Sequence, residues 1–195
     1  QDRTREEPLL ERLRKGLPAI LGRSFQLEPF GSYVTNLGLP NGDGSGARSD
    51  LDVVVLFPGS RADTKEAHGV RTSLVAPMIE KMAAWLRRQP GVTVKNVILK
   101  ARVPIVTFVT DKMEVDISVQ QPFGPLNSWH LRDLCASGWP GRLHALTRLV
   151  KLWAKSKGIH TAKDGGLSSY GYSMLAASYL QDIGALPALL HHSDG

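Results

Sequence analysis

Apolar residues at Leu9, Leu10, Leu13, Leu17, Ile20 and Leu21, with charges between them, recur at the helical period. They predict a helix over 5–21, broken or kinked near Gly16-Leu17-Pro18. Phe25 to Phe30 reads as a short strand ending at Gly31-Ser32, and Asn41 to Gly46 is too rich in glycine to be other than a mobile loop. The run Leu51-Asp52-Val53-Val54-Val55-Leu56-Phe57, stopped by Pro58-Gly59, has the β-branched character of a buried strand. A second helix is expected over 64–88, with Pro77 as a break, followed by strands over 92–99, 104–109 and 113–119. From Leu126 onward the pattern turns helical, and 143–157 and 168–181 carry the 3.6-residue period with no strand alternation. Strands first and helices later predict an α+β domain that passes into a helical one. Ala185 to Leu190 is apolar and no closing element follows it, so the sequence reads as a truncated piece of a larger unit.

Composition narrows the class without naming a function. The chain has 195 residues, 42% hydrophobic and 22% charged, which is enough apolar material for a core. No apolar run reaches the roughly 18–20 residues of a membrane span, so no membrane partner is expected. The single cysteine, Cys135, excludes an internal disulfide framework and suits a reducing intracellular compartment, cytoplasm or mitochondrion. One cysteine and six scattered histidines also offer no zinc-finger spacing. The net charge of +6 fits a polyanionic partner but equally a solvated basic surface.

Three carboxylates sharpen the picture. Asp50 and Asp52 are two apart at the start of the Leu51 strand, so both face one side while Leu51 and Val53 face the other. Two such carboxylates repel and resist ionisation unless a cation lies between them. Oxygen-only ligation of this kind suits Mg²⁺ or Mn²⁺. In Met113-Glu114-Val115-Asp116-Ile117-Ser118-Val119 the alternation is strict, with Glu114, Asp116 and Ser118 on one side and the aliphatic residues on the other. A mid-strand acid is disfavoured unless it pairs or binds metal; the alternative is an edge strand with a solvated face. Three carboxylates on adjacent strands can hold the two metal ions of an in-line phosphoryl transfer. Gly31-Ser32 would add backbone N–H groups and a hydroxyl as a neutral phosphate cradle. Lys151 and Lys155 are i,i+4 on one helix, so both ammonium groups point the same way, with Leu149, Val150 and Trp153 read as its buried side.

Phe30-Gly31-Ser32, Ser49-Asp50-Leu51-Asp52, and Val103-Pro104-Ile105 leading into Glu114-Val115-Asp116-Ile117-Ser118 together resemble the polymerase-beta nucleotidyltransferase superfamily. Leu149-Val150-Lys151-Leu152-Trp153-Ala154-Lys155 and Gly166-Leu167-Ser168-Ser169-Tyr170-Gly171-Tyr172 are similar to the central-domain signatures of non-canonical poly(A) polymerases and terminal uridylyltransferases. The resemblance covers roughly residues 25–182. It implies a polymerase-beta-like palm, a mixed sheet with flanking helices, followed by the start of a helical central domain. The corresponding division is an N-terminal helical segment over 1–22, the palm over 23–125 and the first part of the central domain over 126–195.

The same resemblance implies roles. Asp50, Asp52 and Asp116 would bind metal, and Asp116 would help deprotonate an RNA 3′-hydroxyl. Gly31 and Ser32 would meet the triphosphate, Lys151 and Lys155 would grip it, and Ser169 would add a phosphate contact. Asn127, with Ser128 beside it, would meet the ribose hydroxyls, and Tyr170 would stack on the base. The implied activity is template-independent transfer of UMP from UTP to an RNA 3′ end, with Mg²⁺ or Mn²⁺ as cofactor. UTP is preferred here over ATP on the general look of the nucleotide-binding segments. The implied partners are an RNA 3′ end, a nucleoside triphosphate and the remaining C-terminal part of the same enzyme, in a setting compatible with an RNA-processing complex. An ATP-using poly(A) polymerase, a transferase acting on another acceptor and a catalytically silent RNA-binding or scaffold module of the same fold remain alternatives. Two departures stand out: the stretch from Tyr33 to Ser49 is longer than is usual in this group, and the later base-selecting segment has no counterpart before Gly195.

Overall fold

The computed structural model describes residues 6–39, 50–58, 72–111, 113–137, 141–161 and 165–187. The Gly-rich stretch 41–46 and the first part of the helix expected over 64–88 lie outside them. In chain order the elements are α1 (Glu6–Leu21), β1 (Gln26–Phe30), α2 (Ser32–Thr35), β2 (Leu51–Leu56), α3 (Thr72–Leu86), β3 (Val92–Ile98), β4 (Ile105–Thr110), β5 (Met113–Val119), α4 (Phe123–Ala136), α5 (Arg142–Ser156) and α6 (Ser169–Asp182).

The strands form a mixed five-stranded sheet in the order β1-β2-β5-β4-β3, in which only the β2–β5 pair is parallel. Alternation sorts its residues between two faces. Val53, Val55, Val106, Phe108, Val115, Ile117 and Val119 all turn to one face and are fully buried there against Leu10, Leu13 and Leu17 of α1 and Ile79, Met82 and Leu86 of α3. Polar residues at Asp52, Thr107 and Asp116 take the opposite face. A second apolar cluster joins Leu37 to Leu131, Leu134 and Cys135 of α4, Leu143 of α5, and Ala176, Ala177 and Leu180 of α6.

Several expectations are corrected. Helix α1 runs unbroken through Gly16 and Pro18. Pro18 falls in its last turn, and Gly16 lets the Trp85 ring of α3 lie against the helix where a Cβ would collide with it. Pro77 likewise lies inside α3 without ending it. The one-turn α2 was not expected, and α4 starts at Phe123, before the predicted Leu126, because Pro122, already at helical φ −65° and ψ −22°, opens it. Strand β5 is interior, flanked by β2 and β4, so the edge-strand alternative for Asp116 is excluded. Leu149 and Trp153 are not the buried side of α5: they are 64% and 52% exposed, and the helix instead buries Leu143, Thr147, Lys151 and Ala154 against α6, α4 and the segment after α2.

Candidate active site

Strand register builds the acidic part of the site. Phe30 lies opposite Asp52, Asp52 beside Asp116, and Asp116 opposite Thr107, so these residues form one rung across β1, β2, β5 and β4. Residues paired across neighbouring strands project from the same face. Asp50, just before β2, stands two residues from Asp52 on that face, as alternation requires. The Thr107 hydroxyl, itself buried, donates to Asp116 Oδ1 at 2.5 Å.

The carboxylates press on one another electrostatically. Burial, and then the charges of Asp116 and Asp50, push the Asp52 carboxyl up to about 7. The Asp50 carboxyl is raised by burial and by Asp116, and Glu114 is raised by burial and by Asp50 and Asp116, with Lys95 partly offsetting it. Among the described residues no Lys or Arg is ion-paired to Asp50, Asp52 or Asp116; the ion pairs there, such as Arg14–Glu7 and Arg132–Asp133, lie on exposed surfaces away from the rung. Also among the described residues, no three His, Cys, Asp or Glu side chains close around a single point. An acidic, oxygen-only and open donor set of this kind fits Mg²⁺, which is held by one or two carboxylates and completed by water and substrate phosphate oxygens.

Beside the rung opens a cleft of about 590 Å³. Asp50 and Asp52 line it together with Gly31, Ser32, Asn127, Ser128, Lys151, Lys155, Ser169 and Tyr170, so ten of the eleven residues singled out from sequence share one wall-to-wall space. Asp116 is the eleventh and stands behind Asp52 in the rung.

The turn entering α2 is held tightly. Gly31 has φ 70° and ψ −144°, a conformation reserved for glycine, and a Cβ there would run into the Asp52 carboxylate. Its N–H donates to Ser128 Oγ at 2.7 Å, while the Ser128 hydroxyl donates to the Gly124 carbonyl at 2.8 Å. The Gly31 amide and the Ser128 hydroxyl are therefore committed to each other in this structure, which makes Ser128 an anchor of the turn. Thr35 Oγ1 donates to the Gly31 carbonyl at 3.1 Å and accepts from the Leu37 N–H at 3.3 Å.

The opposite wall comes from α5 and α6. Lys151 is only 9% exposed, and its Nζ donates to the Leu37 carbonyl at 3.1 Å. Burial lowers its pKa to about 8, against the opposing influence of Cys135 and with a further lowering from Arg148. Lys155, one turn on, is exposed on the cleft. Ser168 caps α6 by accepting from the Gly171 N–H at 3.1 Å, which leaves Ser169 and Tyr170 in the first turn, both on the cleft. Burial pushes the Cys135 thiol up to about 11, against a lowering influence from Lys151, and the thiol does not line the cleft.

Some neighbours were not anticipated. Arg148 Nη2 donates to the Asn36 carbonyl at 2.8 Å, so Arg148 and Lys151, i and i+3 on α5, grip consecutive carbonyls. Their spacing on one helix face was legible, but nothing local marked carbonyls 112–114 residues away as their partners. His160 also lines the cleft, and the Tyr172 hydroxyl donates to the Ile159 carbonyl beside it at 2.7 Å.

Comparison with known proteins identifies relatives of the chain and of its fold. The family described as "Poly(A) RNA polymerase, mitochondrial-like, central palm domain" matches residues 2–132. Poly(A) RNA polymerase protein 1 from Eremothecium gossypii is 31% identical over 80% of this chain and 22% of its own length. Terminal uridylyltransferase 7 from Homo sapiens is 32% identical over 90% of this chain and 11% of its own length. The structure of terminal uridylyl transferase 4 from Trypanosoma brucei with bound dUTP superposes with a TM-score of 0.74 at 26% identity, covering 94% of this chain and 55% of that one. The chain thus spans about half of that structure and less than a quarter of these two curated relatives.

Proposed function

The chain belongs to the poly(A) RNA polymerase and terminal uridylyltransferase family of RNA nucleotidyltransferases, and we propose that it carries the palm and first central helices of an enzyme that adds UMP to RNA 3′ ends without a template. The observation that carries this reading is the pairing of Asp52 with Asp116 at the edge of a cleft whose far wall presents Lys151, Lys155, Ser169 and Tyr170.

In this reading a nucleoside triphosphate lies in the cleft with its base on Tyr170 and its ribose by Asn127. Lys155, Lys151, Ser32 and Ser169 meet the triphosphate. Asp50, Asp52 and Asp116 would hold divalent cations, which would supply charge stabilisation at the phosphates and activation of the attacking oxygen. The RNA 3′-oxygen forms a bond to the α-phosphorus, the bond to the bridging oxygen of the β-phosphate breaks, and pyrophosphate leaves. Asp116 takes up the proton of the 3′-hydroxyl. The low pKa of Lys151 makes it a donor whose charge is sensitive to what fills the cleft.

UTP is favoured over ATP by the likeness to the Trypanosoma brucei uridylyl transferase across 94% of this chain. The poly(A) polymerase relative supports ATP as the second reading. The full-length protein incubated with labelled RNA, Mg²⁺ and each of the four nucleotides separately distinguishes them. Extension with UTP alone supports the proposal, extension with ATP alone transfers it to the poly(A) branch, and no extension with any nucleotide supports a silent RNA-binding module.

A further inference from the structure

We infer that Thr107 is a positioning residue for the reaction: its hydroxyl fixes the carboxylate of Asp116 so that one oxygen is held by the protein and the other is presented toward Asp52. The inference rests on the catalytic reading of Asp116 given above.

Burial sets Thr107 apart. The strand reads Ile105-Val106-Thr107-Phe108-Val109-Thr110, and valine would fill the same β-branched shape. A hydroxyl carried into a site only 5% exposed is costly unless it finds a partner. Its partner is Asp116 Oδ1, at 2.5 Å, directly across the antiparallel β4–β5 pair. Thr107 is the donor of this bond and Asp116 the acceptor. Val106 and Phe108 on either side are fully buried in the opposite face, which commits the Thr107 side chain to the face that carries Asp116.

The consequence is geometric. Asp116 stands between two neighbours in its rung, the Asp52 carboxylate on β2 and the Thr107 hydroxyl on β4. Like charge on one side and a donor on the other orient the carboxylate about its terminal torsion, which is otherwise broad. Two carboxylates that must share cations within a fraction of an ångström gain from this pre-orientation, because misplacement of a reacting group is costly to rate. Thr107 touches neither substrate nor cation in this account; it acts through Asp116.

The test compares Thr107→Val and Thr107→Ser in the full-length protein. Mn²⁺ affinity is read by the electron paramagnetic resonance signal of free Mn²⁺, and RNA extension is read as kcat and nucleotide KM. Thr107→Val is expected to weaken Mn²⁺ binding several-fold and to lower kcat about tenfold with nucleotide KM unchanged. Thr107→Ser, which keeps the hydroxyl and drops the methyl, is expected to restore most of both. Wild-type Mn²⁺ affinity and kcat in Thr107→Val overturn the inference. Equal losses in both variants also overturn it, since they would assign the effect to the methyl group's packing. If the wild type itself extends no RNA, the catalytic reading fails, and the Mn²⁺ measurement still decides whether Thr107 orients Asp116.

Discussion

Lys151 Nζ donates to the Leu37 carbonyl at 3.1 Å, tying α5 to the segment that leaves the Gly31–Ser32 turn. Leu37 is itself buried in the second apolar cluster, together with Leu131, Leu143 and Ala176. Lys151 therefore supports the cleft wall as well as facing the cleft, whereas Lys155 faces it from an exposed position. The two lysines should separate on mutation. Lys155→Met is expected to raise nucleotide KM about tenfold or more with stability within about 0.5 kcal/mol of wild type. Lys151→Met should cost activity and also about 1–3 kcal/mol of stability, because it leaves the Leu37 carbonyl without its donor. Urea denaturation beside initial-rate kinetics checks both.

Gly31 meets two demands at once, a positive φ and room for the Asp52 carboxylate. Gly31→Ala should destabilise the protein by about 1–3 kcal/mol through backbone strain. It should also displace Asp52, so activity is expected to fall further than the stability loss explains. Thermal unfolding and single-turnover extension at a temperature where the variant is fully folded measure the two effects apart.

The pH dependence follows from the raised carboxyls. Asp52 is pushed from its ordinary 3.8 up to about 7 in the folded chain, and Asp50 and Glu114 shift in the same direction. Between about pH 4 and 7 the native state holds more protons than the unfolded state, so stability falls as pH rises through that window. Without divalent cation, the melting temperature should be higher at pH 5.5 than at pH 7.5. Mg²⁺ or Mn²⁺ competes with those protons, so its stabilising effect should be larger at pH 7.5. Scanning calorimetry at both pH values with and without Mn²⁺ reads this directly, and an equal Mn²⁺ effect at both would contradict it.

What was legible in the sequence was what strand alternation governs. Val115, Ile117 and Val119 against Asp116, and Leu51 and Val53 against Asp52, define the faces of β5 and β2 without reference to any partner strand. Their side-by-side register was not legible, because pairing between residues 52 and 116 depends on a parallel crossover that no local pattern records. Helix α5 shows the opposite failure. Leu149 and Trp153 look like core residues by type, yet the face that packs carries Thr147 and Lys151, whose polar ends were misleading. A lysine stem can be buried while its ammonium finds a carbonyl, and only the tertiary position of Leu37 supplies that carbonyl. The role of Thr107 is likewise absent from any local pattern, because it comes from the residue opposite it on β5.

In the proposed function the Asp52–Asp116 rung and the adjoining cleft form a metal-dependent site for nucleotidyl transfer to RNA. The most direct test is single-turnover extension of a labelled RNA by the full-length protein beside Asp52→Asn and Asp116→Asn, with circular dichroism and nucleotide binding measured on the same preparations. Both substitutions keep the shape and remove one charge, so both variants are expected to stay folded and bind nucleotide. Their extension rate is expected to fall by about a thousandfold or more, in line with losing a group that stabilises transition-state charge. Extension at a rate near wild type in either folded variant would contradict it.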